Sequence, residues 1–516
     1  MKKLICSIFI LALWIFPSLV FAQAKHLTIL HFNDIHGHLD DGIKIATLIE
    51  QIKKENKTKG WQTLVLFGGD AFTGTIISRE FQGKAEFDFF NALDLDAMVI
   101  GNHEFDYGQQ VLQERIKQAN FPLLSANIYL QDSQKLLFDP VVIIELGGVI
   151  ASDQRERGDP VKIAPGLLRR STPRNDTNDT IDNRALTVGL VGLTYEQTPG
   201  ISMPELVANL EFKNTLKAFQ KNRQQISKAD LKIALTHQGI DEDIKLAQKN
   251  SELTAVIGGH DHVEPEQYCR LVKKIPVCQT PANGKFLGRI DFEINEGRSR
   301  YLDSQLIPVS QNTKNHPKLA ALLRPYQQQA SKKYNQVIGY TKQDLNTGRG
   351  KETELGNLFA DALRENTRAD IALINSGGIR NSIYQGKIRL KDLTELYPFD
   401  NKAVVMNLKG EIIQEMLAHS VKQGGSTFLQ VSGVEFTIKD NKPTAIKINN
   451  QPLEPKKIYK VAVDGYMAVG GNGYKMLTKI PDQKEGDLIR DIFIEYVRQN
   501  YAVSAPRPDR IHYFLP

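Results

Sequence analysis

Short apolar runs recur along the first half of the chain, and five of them stop at a residue able to bind metal. Leu27–Phe32 runs into Asn33-Asp34-Ile35-His36, Leu64–Phe67 into Gly68-Gly69-Asp70, and Ala97–Ile100 into Gly101-Asn102-His103-Glu104. Leu231–Leu235 precedes Thr236-His237, and Ala255–Ile257 precedes Gly258-Gly259-His260-Asp261-His262. Runs of this length and composition predict buried strands, since a strand covered on both faces has no polar side to show. In open α/β sheets, ligands gather beyond the carboxyl ends of the strands. The pattern therefore predicts one site built from five loops, with Asp, His and Asn side chains converging on metal.

Amphipathic helical stretches separate the runs: Gly42–Lys54, Lys84–Leu93 and Lys213–Ser227. This alternation over residues 25–310 reads as α/β. Polar Gln311–Pro317 leads into Leu319–Tyr334, which has helical spacing and no glycine, so 311–335 is expected to hold a linker helix. Residues 336–516 carry a second, smaller unit of mixed helices and strands. A chain of 516 residues exceeds what a single core usually reaches, so two domains are expected. Polar Ser152–Arg184, with its Asn175-Asp176-Thr177-Asn178-Asp179-Thr180 near-repeat, parts two plausible strands, Val141–Leu146 and Leu186–Leu193. Its composition favours a mobile insertion over 152–184, either tolerated or serving as a lid or docking segment.

The start reads as an export signal over residues 1–22: basic Lys2 and Lys3, apolar Leu4–Phe16, then Val20-Phe21-Ala22 as a cleavage site. The alternative is an uncleaved anchor. No later run is long enough to span a bilayer. A periplasmic or secreted bacterial protein without a membrane anchor after cleavage is expected. After cleavage only Cys269 and Cys278 remain, flanking a short hairpin. An oxidising compartment favours a disulfide between them over two free thiols. The net charge of +6 is spread along the chain; it hints at anionic substrates and gives no indication of a nucleic acid polymer as partner.

Asp34 and His36, two apart after a strand, can both enter one loop mouth. Asp70 is the natural bridging carboxylate, Asn102 offers an amide oxygen, and His237, His260 and His262 offer imidazoles. One histidine alone is usually a core or surface residue; seven such groups at strand ends are a different matter. His31 belongs to its strand and His38 is expected to face solvent, so neither is a ligand. In the second unit, Asn375-Ser376-Gly377-Gly378-Ile379-Arg380 follows the apolar run Ile371–Ile374. Its glycines let backbone approach a ligand, and Arg380 offers a planar fork for phosphate or carboxylate. Taken alone, this motif also fits a turn with a surface arginine.

As an ordered set, Asn33-Asp34-x-His36, Gly69-Asp70, Gly101-Asn102-His103-Glu104, Thr236-His237 and Gly259-His260-x-His262 resemble the calcineurin-like metallophosphoesterases. The continuous Gly101-Asn102-His103-Glu104-Phe105-Asp106-Tyr107-Gly108 narrows the resemblance to secreted 5′-nucleotidases. The resemblance implies a four-layer α/β/β/α metallophosphoesterase domain, followed by a smaller mixed α+β nucleotide-binding domain that swings on the linker. It implies two divalent metal ions, drawn from Zn, Mn, Co or Fe. One would take Asp34, His36, Asp70 and His262; the other would take Asp70, Asn102, His237 and His260. Some relatives carry Gln or Asn at the position of His262. His103 would face the phosphate, held by Asp106; the other reading of Asp106 is a helix N-cap before Tyr107-Gly108-Gln109.

The second domain is similar to the family at Thr353-Glu354-Leu355-Gly356-Asn357, at Tyr397-Pro398-Phe399-Asp400-Asn401 and at Asp464–Tyr474. The resemblance implies that Phe399 and Tyr466 sandwich a base, Asn375 hydrogen-bonds it, and Arg349 and Arg380 hold the anionic end. Asn401 and Asn472 complete the implied substrate set. Tyr466 stands where many relatives have Phe, and Asn472 where many have Asp. The implied activity is hydrolysis of nucleoside 5′-monophosphates, and of longer phosphate chains, to nucleoside and phosphate. A 2′,3′-cyclic nucleotide phosphodiesterase or a UDP-sugar hydrolase on the same scaffold stays open, as does a nucleotide-binding protein without catalysis.

Overall fold

The computed structural model describes residues 24–147, 184–295 and 297–514. The export signal over 1–22 and the insertion up to residue 183 lie outside the described residues. All five apolar runs are strands, but they divide between two six-stranded sheets. The first runs in the order Arg298–Pro308, Phe286–Asn295, Lys25–Phe32, Gln62–Phe67, Ala97–Val99, Leu123–Leu124. The second runs Cys269–Val272, Ile275–Gln279, Ala255–Gly258, Leu231–His237, Leu186–Thr194, Val141–Leu146. The strands that carry the motifs pair in parallel within each sheet, so their carboxyl ends meet on one rim.

Strand alternation sorts the side chains into layers. Leu27, Ile29, Leu64 and Leu66 face Val188, Leu190, Ile233 and Leu235 across the two sheets. Their neighbours Leu30, Phe32, Val65 and Phe67 point outward, onto Ile45 and Ile49 of helix Leu39–Lys59 and Phe87 and Phe90 of helix Lys84–Ala92. Beyond the second sheet, Val191, Ala234 and Val256 meet Phe219 and Leu246 of helices Thr215–Asn222 and Ile240–Lys249. The four-layer α/β/β/α order expected from the resemblance is realised. Burying each such side chain contributes roughly 1.5–3 kcal/mol, enough in sum to hold loops in strained conformations at the rim.

The disulfide Cys269–Cys278 closes the hairpin, directly across from one another in register. The cross-link spans nine residues of sequence. Closing a loop of that size removes roughly 2–3 kcal/mol of unfolded-state entropy. Cys269→Ser is expected to lower the melting temperature by about 4 °C, and reductant should lower the wild type, but not the variant, by the same amount in a thermal melt.

Helix Pro317–Tyr334 is present, though it is not a free linker. Leu319, Leu323, Ala330 and Tyr334 join the core beneath the first sheet. The Tyr326 hydroxyl donates to Asp88, and that of Tyr334 donates to Glu80 at 3.0 Å. The helix carries Pro325, yet these contacts dock it to the first lobe. The helix is therefore part of the first lobe, and of the two expected hinge positions, within the helix or just after it, this packing favours the second.

The second lobe is built on a five-stranded sheet ordered Leu429–Ser432, Ile371–Asn375, Ile458–Asp464, Lys402–Lys409, Lys484–Leu488. Ala372 and Ile374 face helices Glu354–Thr367 and Ile489–Asn500, while Ile371 and Leu373 face helix Gly410–Gln423. The Thr353–Asn357 motif turns out to be structural. Thr353 caps its helix by accepting the Gly356 N–H at 3.0 Å, and a Cβ at Gly356 would fall 2.0 Å from Gln430 Oε1. Gln430 in turn donates to Ser376 at 2.9 Å, which fixes the loop after Asn375.

Candidate active site

The rim loops begin where strand pairing ends. Asp34 N–H donates to the Gly69 carbonyl at 2.9 Å and His36 N–H to that of Asp70 at 3.2 Å, so two loops leave the sheet side by side. Asp34, His36, Asp70, His260 and His262 all have φ between 46° and 98°. Side chains other than glycine rarely adopt that region, and such strain collects at functional sites. Two glycines are forced by close approach. A Cβ at Gly101 would lie 2.2 Å from Asp70 Oδ1, and one at Gly69, with φ +87°, 2.7 Å from His237 Nδ1.

The expected ligands converge. Asp34, His36 and His262 form one group, Asp70, His237 and His260 another, and His36 and Asp70 also lie within reach of each other and of His103. His262 Nε2 lies 3.2 Å from Asp34 Oδ1 and 3.0 Å from His36 Nε2. His237 Nε2 is 3.1 Å from Asp70 Oδ2, and His260 Nδ1 is 3.0 Å from Asn102 Oδ1. His36 Nδ1 faces the Phe72 carbonyl at 3.1 Å and His237 Nδ1 the Gly68 carbonyl at 2.6 Å. A carbonyl only accepts, so both Nδ1 atoms carry a proton and Nε2 is the atom that each ring aims inward.

Two observations test whether cations fit. Asp34 Oδ1 and His237 Nε2 are buried, and the ion-pair neighbours each has at 3.1–3.2 Å are not aligned for a hydrogen bond. Burial and the adjacent His262 press the His36 imidazole well below its usual range, and burial takes that of His260 down to about 3. For His237 burial works the same way, but the carboxylates of Asp70 and Asp34 outweigh it and push the ring up to about 10. Imidazole nitrogens gathered at about 3 Å around two buried carboxylates make a place for positive charge, which a cation or, at His237, a proton can supply. The donor set of imidazole, carboxylate and amide oxygen suits divalent transition metals.

His103 stands beside these groups. Its Nδ1 is 2.6 Å from Asp106 Oδ2, and its Nε2 is 4.0 Å from Asp70 Oδ2. Burial opposes its protonation, but Asp106 and Asp70 outweigh burial and raise its pKa. Asp106 does not cap the following helix, which starts at Gly108 with Tyr107 as its uncapped N-terminal neighbour. The carboxylate is spent on His103 instead. His38 does not face solvent as expected. It is half-buried at the start of helix Leu39–Lys59, where burial, then Lys285, lowers its pKa to about 4. His31 lies fully buried against Tyr268 and, as expected, belongs to its strand.

A cleft of about 560 Å³ opens over this floor, lined from both lobes. Asp70, Asn102, His103, Asp106, His260 and His262 line one side. Arg349, Asn375, Arg380, Phe399, Asn401, Tyr466 and Asn472 line the other. Asp34, His36 and His237 lie buried beneath. Burial and the neighbouring Arg349 lower the Arg380 guanidinium to about 10, a cationic pair without an anion between them. Arg349 is exposed at the rim, although the protein packed around its guanidinium lowers its pKa too. Asn375 Oδ1 is buried with no partner. Phe399 is half-buried, 6.2 Å from the His103 ring and 5.9 Å from the Arg380 guanidinium. Asn401 differs: its amide nitrogen donates to the Tyr397 hydroxyl and Asp464, so it braces the cleft wall.

The calcineurin-like phosphoesterase profile matches residues 27–264, and the 5′-nucleotidase C-terminal domain profile matches residues 336–479. Protein UshA of Escherichia coli K12 is 30% identical over 90% of this chain and 89% of its own length. The chain belongs to the 5′-nucleotidase family. A 5′-nucleotidase of Vibrio cholerae is 28% identical over 93% of this chain and 92% of its own. The crystal structure of a 5′-nucleotidase precursor from Thermus thermophilus superposes with a TM-score of 0.78 at 26% identity, covering 95% of this chain and 99% of that one. Like its family, the chain is a phosphoric monoester hydrolase built on a metal-binding phosphoesterase fold.

Several groups that shape this 5′-nucleotidase site escape motif reading. Glu104 accepts the N–H groups of Ala71 and Gly101 at 2.6 Å and of Asp70 at 3.1 Å. It clamps two rim loops together, and burial followed by Asp70 raises its pKa to about 7. It stood inside a recognised motif, so the signal was there. Arg79, from the first lobe, donates to the Pro398 carbonyl at 3.2 Å and to Asp400 at 2.6 Å, gripping the loop that carries Phe399. No local pattern marks it.

Proposed function

We propose that this chain is an exported 5′-nucleotidase that releases phosphate from nucleoside 5′-monophosphates, with longer phosphate chains as further substrates. Asp34, His36, Asp70 and His262 would hold one divalent cation, and Asp70, Asn102, His237 and His260 a second. The observation that carries this reading is Asp70, whose carboxylate lies within ligand reach of His237 and His260 and also of His36, a member of the other group. When bound, such a pair supplies charge to the phosphoryl oxygens and an activated water. The chain's own residues do the rest. Arg349 and Arg380 neutralise and orient the phosphate. His103, kept protonated by Asp106, steadies charge that grows on the transferring group. Asn375 Oδ1 gives a base its hydrogen-bond acceptor, and Phe399 and Tyr466 give it aromatic faces. The arrangement divides into a catalytic domain over 25–310, a connecting helix within 311–335 and a substrate domain over 336–516, with the pivot at Asn335-Gln336-Val337. Among the described residues no helix is long and apolar enough to cross a membrane, in keeping with export.

Hydrolysis of AMP, a 2′,3′-cyclic nucleotide, UDP-glucose and p-nitrophenyl phosphate, followed by chromatography of the nucleoside, nucleotide and phosphate products, tests the assignment on metal-loaded protein. AMP should lead; preference for either of the diesters would replace this reading with the corresponding hydrolase. Phe399→Ala should raise KM for AMP by about 5- to 100-fold, given roughly 1–3 kcal/mol per stacked base. It should leave KM for p-nitrophenyl phosphate within a few-fold.

A further inference from the structure

The Tyr466 hydroxyl has more acceptors than protons. It accepts the Asn472 N–H at 2.9 Å, and its own proton faces two acceptors at 3.1 Å: Asn472 Oδ1 and the Gly200 carbonyl. A phenol carries one proton, so only one of the two is served. The acceptors belong to different lobes. Asn472 lies in the second lobe, two turns from Tyr466 in the same loop, and Gly200 lies in the catalytic lobe, in the short segment Thr198–Ile201.

The orientation of Asn472 is fixed by its surroundings. Its Nδ2 donates to the Ser426 carbonyl at 3.3 Å, so a flipped amide would set two oxygens against each other. Its own carbonyl accepts from His419 Nε2 at 2.8 Å. Asn472 lines the cleft, so Oδ1 is the group that a sugar hydroxyl would also seek. The Gly200 carbonyl is on an exposed residue, and water satisfies it whenever the lobes part.

We propose that Tyr466 couples lobe closure to the sugar of the substrate. Without a sugar hydroxyl, the Tyr466 proton rests on Asn472 Oδ1 and the second lobe has no bond to Gly200. A sugar hydroxyl that donates to Asn472 Oδ1 competes there with that proton and weakens its hold, which shifts the proton to the Gly200 carbonyl and ties the two lobes together over the bound substrate. Phenylalanine here would stack equally well and could not do this. Tyr466 is thus a positioning residue as well as a stacking one. The inference rests on the nucleotidase reading above.

The test compares the wild type and Tyr466→Phe, both metal-loaded and full-length, with AMP and its 2′,3′-dideoxy analogue. The preference for AMP in kcat/KM should be about threefold to tenfold larger in the wild type, the weight of one hydrogen bond. Small-angle scattering at saturating nucleoside should show adenosine compacting the wild type more than 2′,3′-dideoxyadenosine does, and the Phe variant responding equally to both. Asn472→Gly, which suits φ 51°, removes the competing acceptor. Without ligand it should already scatter like the adenosine-bound wild type. Equal preferences in wild type and Tyr466→Phe, or an Asn472→Gly that stays as open as the unliganded wild type, would overturn the coupling. Absence of phosphate release from either nucleotide overturns the nucleotidase reading instead, and the scattering arms still decide the coupling.

Discussion

Asp70→Asn is expected to lower phosphate release by at least about a thousandfold and to cut bound metal to less than half. The substitution keeps volume and keeps an oxygen for the His103 N–H, which Asp70 Oδ1 accepts at 2.9 Å. It removes the negative charge that His237 and both ligand groups face. Charge stabilisation by a cation is worth several kcal/mol at the transition state, and each 1.36 kcal/mol is a factor of ten in rate. Two readouts are needed together. Metal analysis by mass spectrometry reports ligation, and turnover at saturating AMP reports catalysis. Loss of turnover with full metal content would move Asp70 out of the ligand set and leave it a substrate contact. Retained turnover would remove the two-cation reading altogether.

Much of the floor of this site was legible because its signals are local. Each ligand follows an apolar run by two to five residues, and Asp34, His36, Asp70, His237 and His260 sit where those strands end. What periodicity does not carry is how strands associate. The five runs share one rim only because Leu27 and Ile29 pack on Val188 and Leu190, a contact between segments far apart in the chain. For the same reason the helix Pro317–Tyr334 reads correctly as a helix, but the pattern does not say whether a hinge lies within it or just after it. Its spacing says nothing of Tyr326 reaching Asp88. His38 and Asp106 show a second limit. The fate of His38 is decided by burial, and Asp106, with a helix start on one side and an imidazole on the other, is taken by the imidazole. Arg79 and Gly200 show a third. They act across the interface between lobes, where no motif is shared and one of the two acts only through a backbone carbonyl.

His103→Asn is expected to lower kcat by about a hundred- to a thousandfold, with KM for AMP within a few-fold and metal content unchanged. The metal measurement matters because geometry admits a rival role: His36, Asp70 and His103 also bring three ligand atoms within reach of one another. The case against ligation is that His103 Nδ1 is already held by Asp106 at 2.6 Å, while its Nε2 stands 4.0 Å from Asp70, farther than that of His237 at 3.1 Å. Asp106 and Asp70 raise its pKa, so its Nε2 can donate into the cleft in front of Arg380 and Phe399. Removing such a donor to developing charge typically costs two to three powers of ten. Asp106→Asn should then show a smaller loss, about tenfold to a hundredfold, since the ring remains but loses the partner that keeps it charged and turned. If His103→Asn instead sheds metal in step with its activity, His103 is a ligand, and the donor to the phosphoryl group must be sought in Arg349 and Arg380 alone.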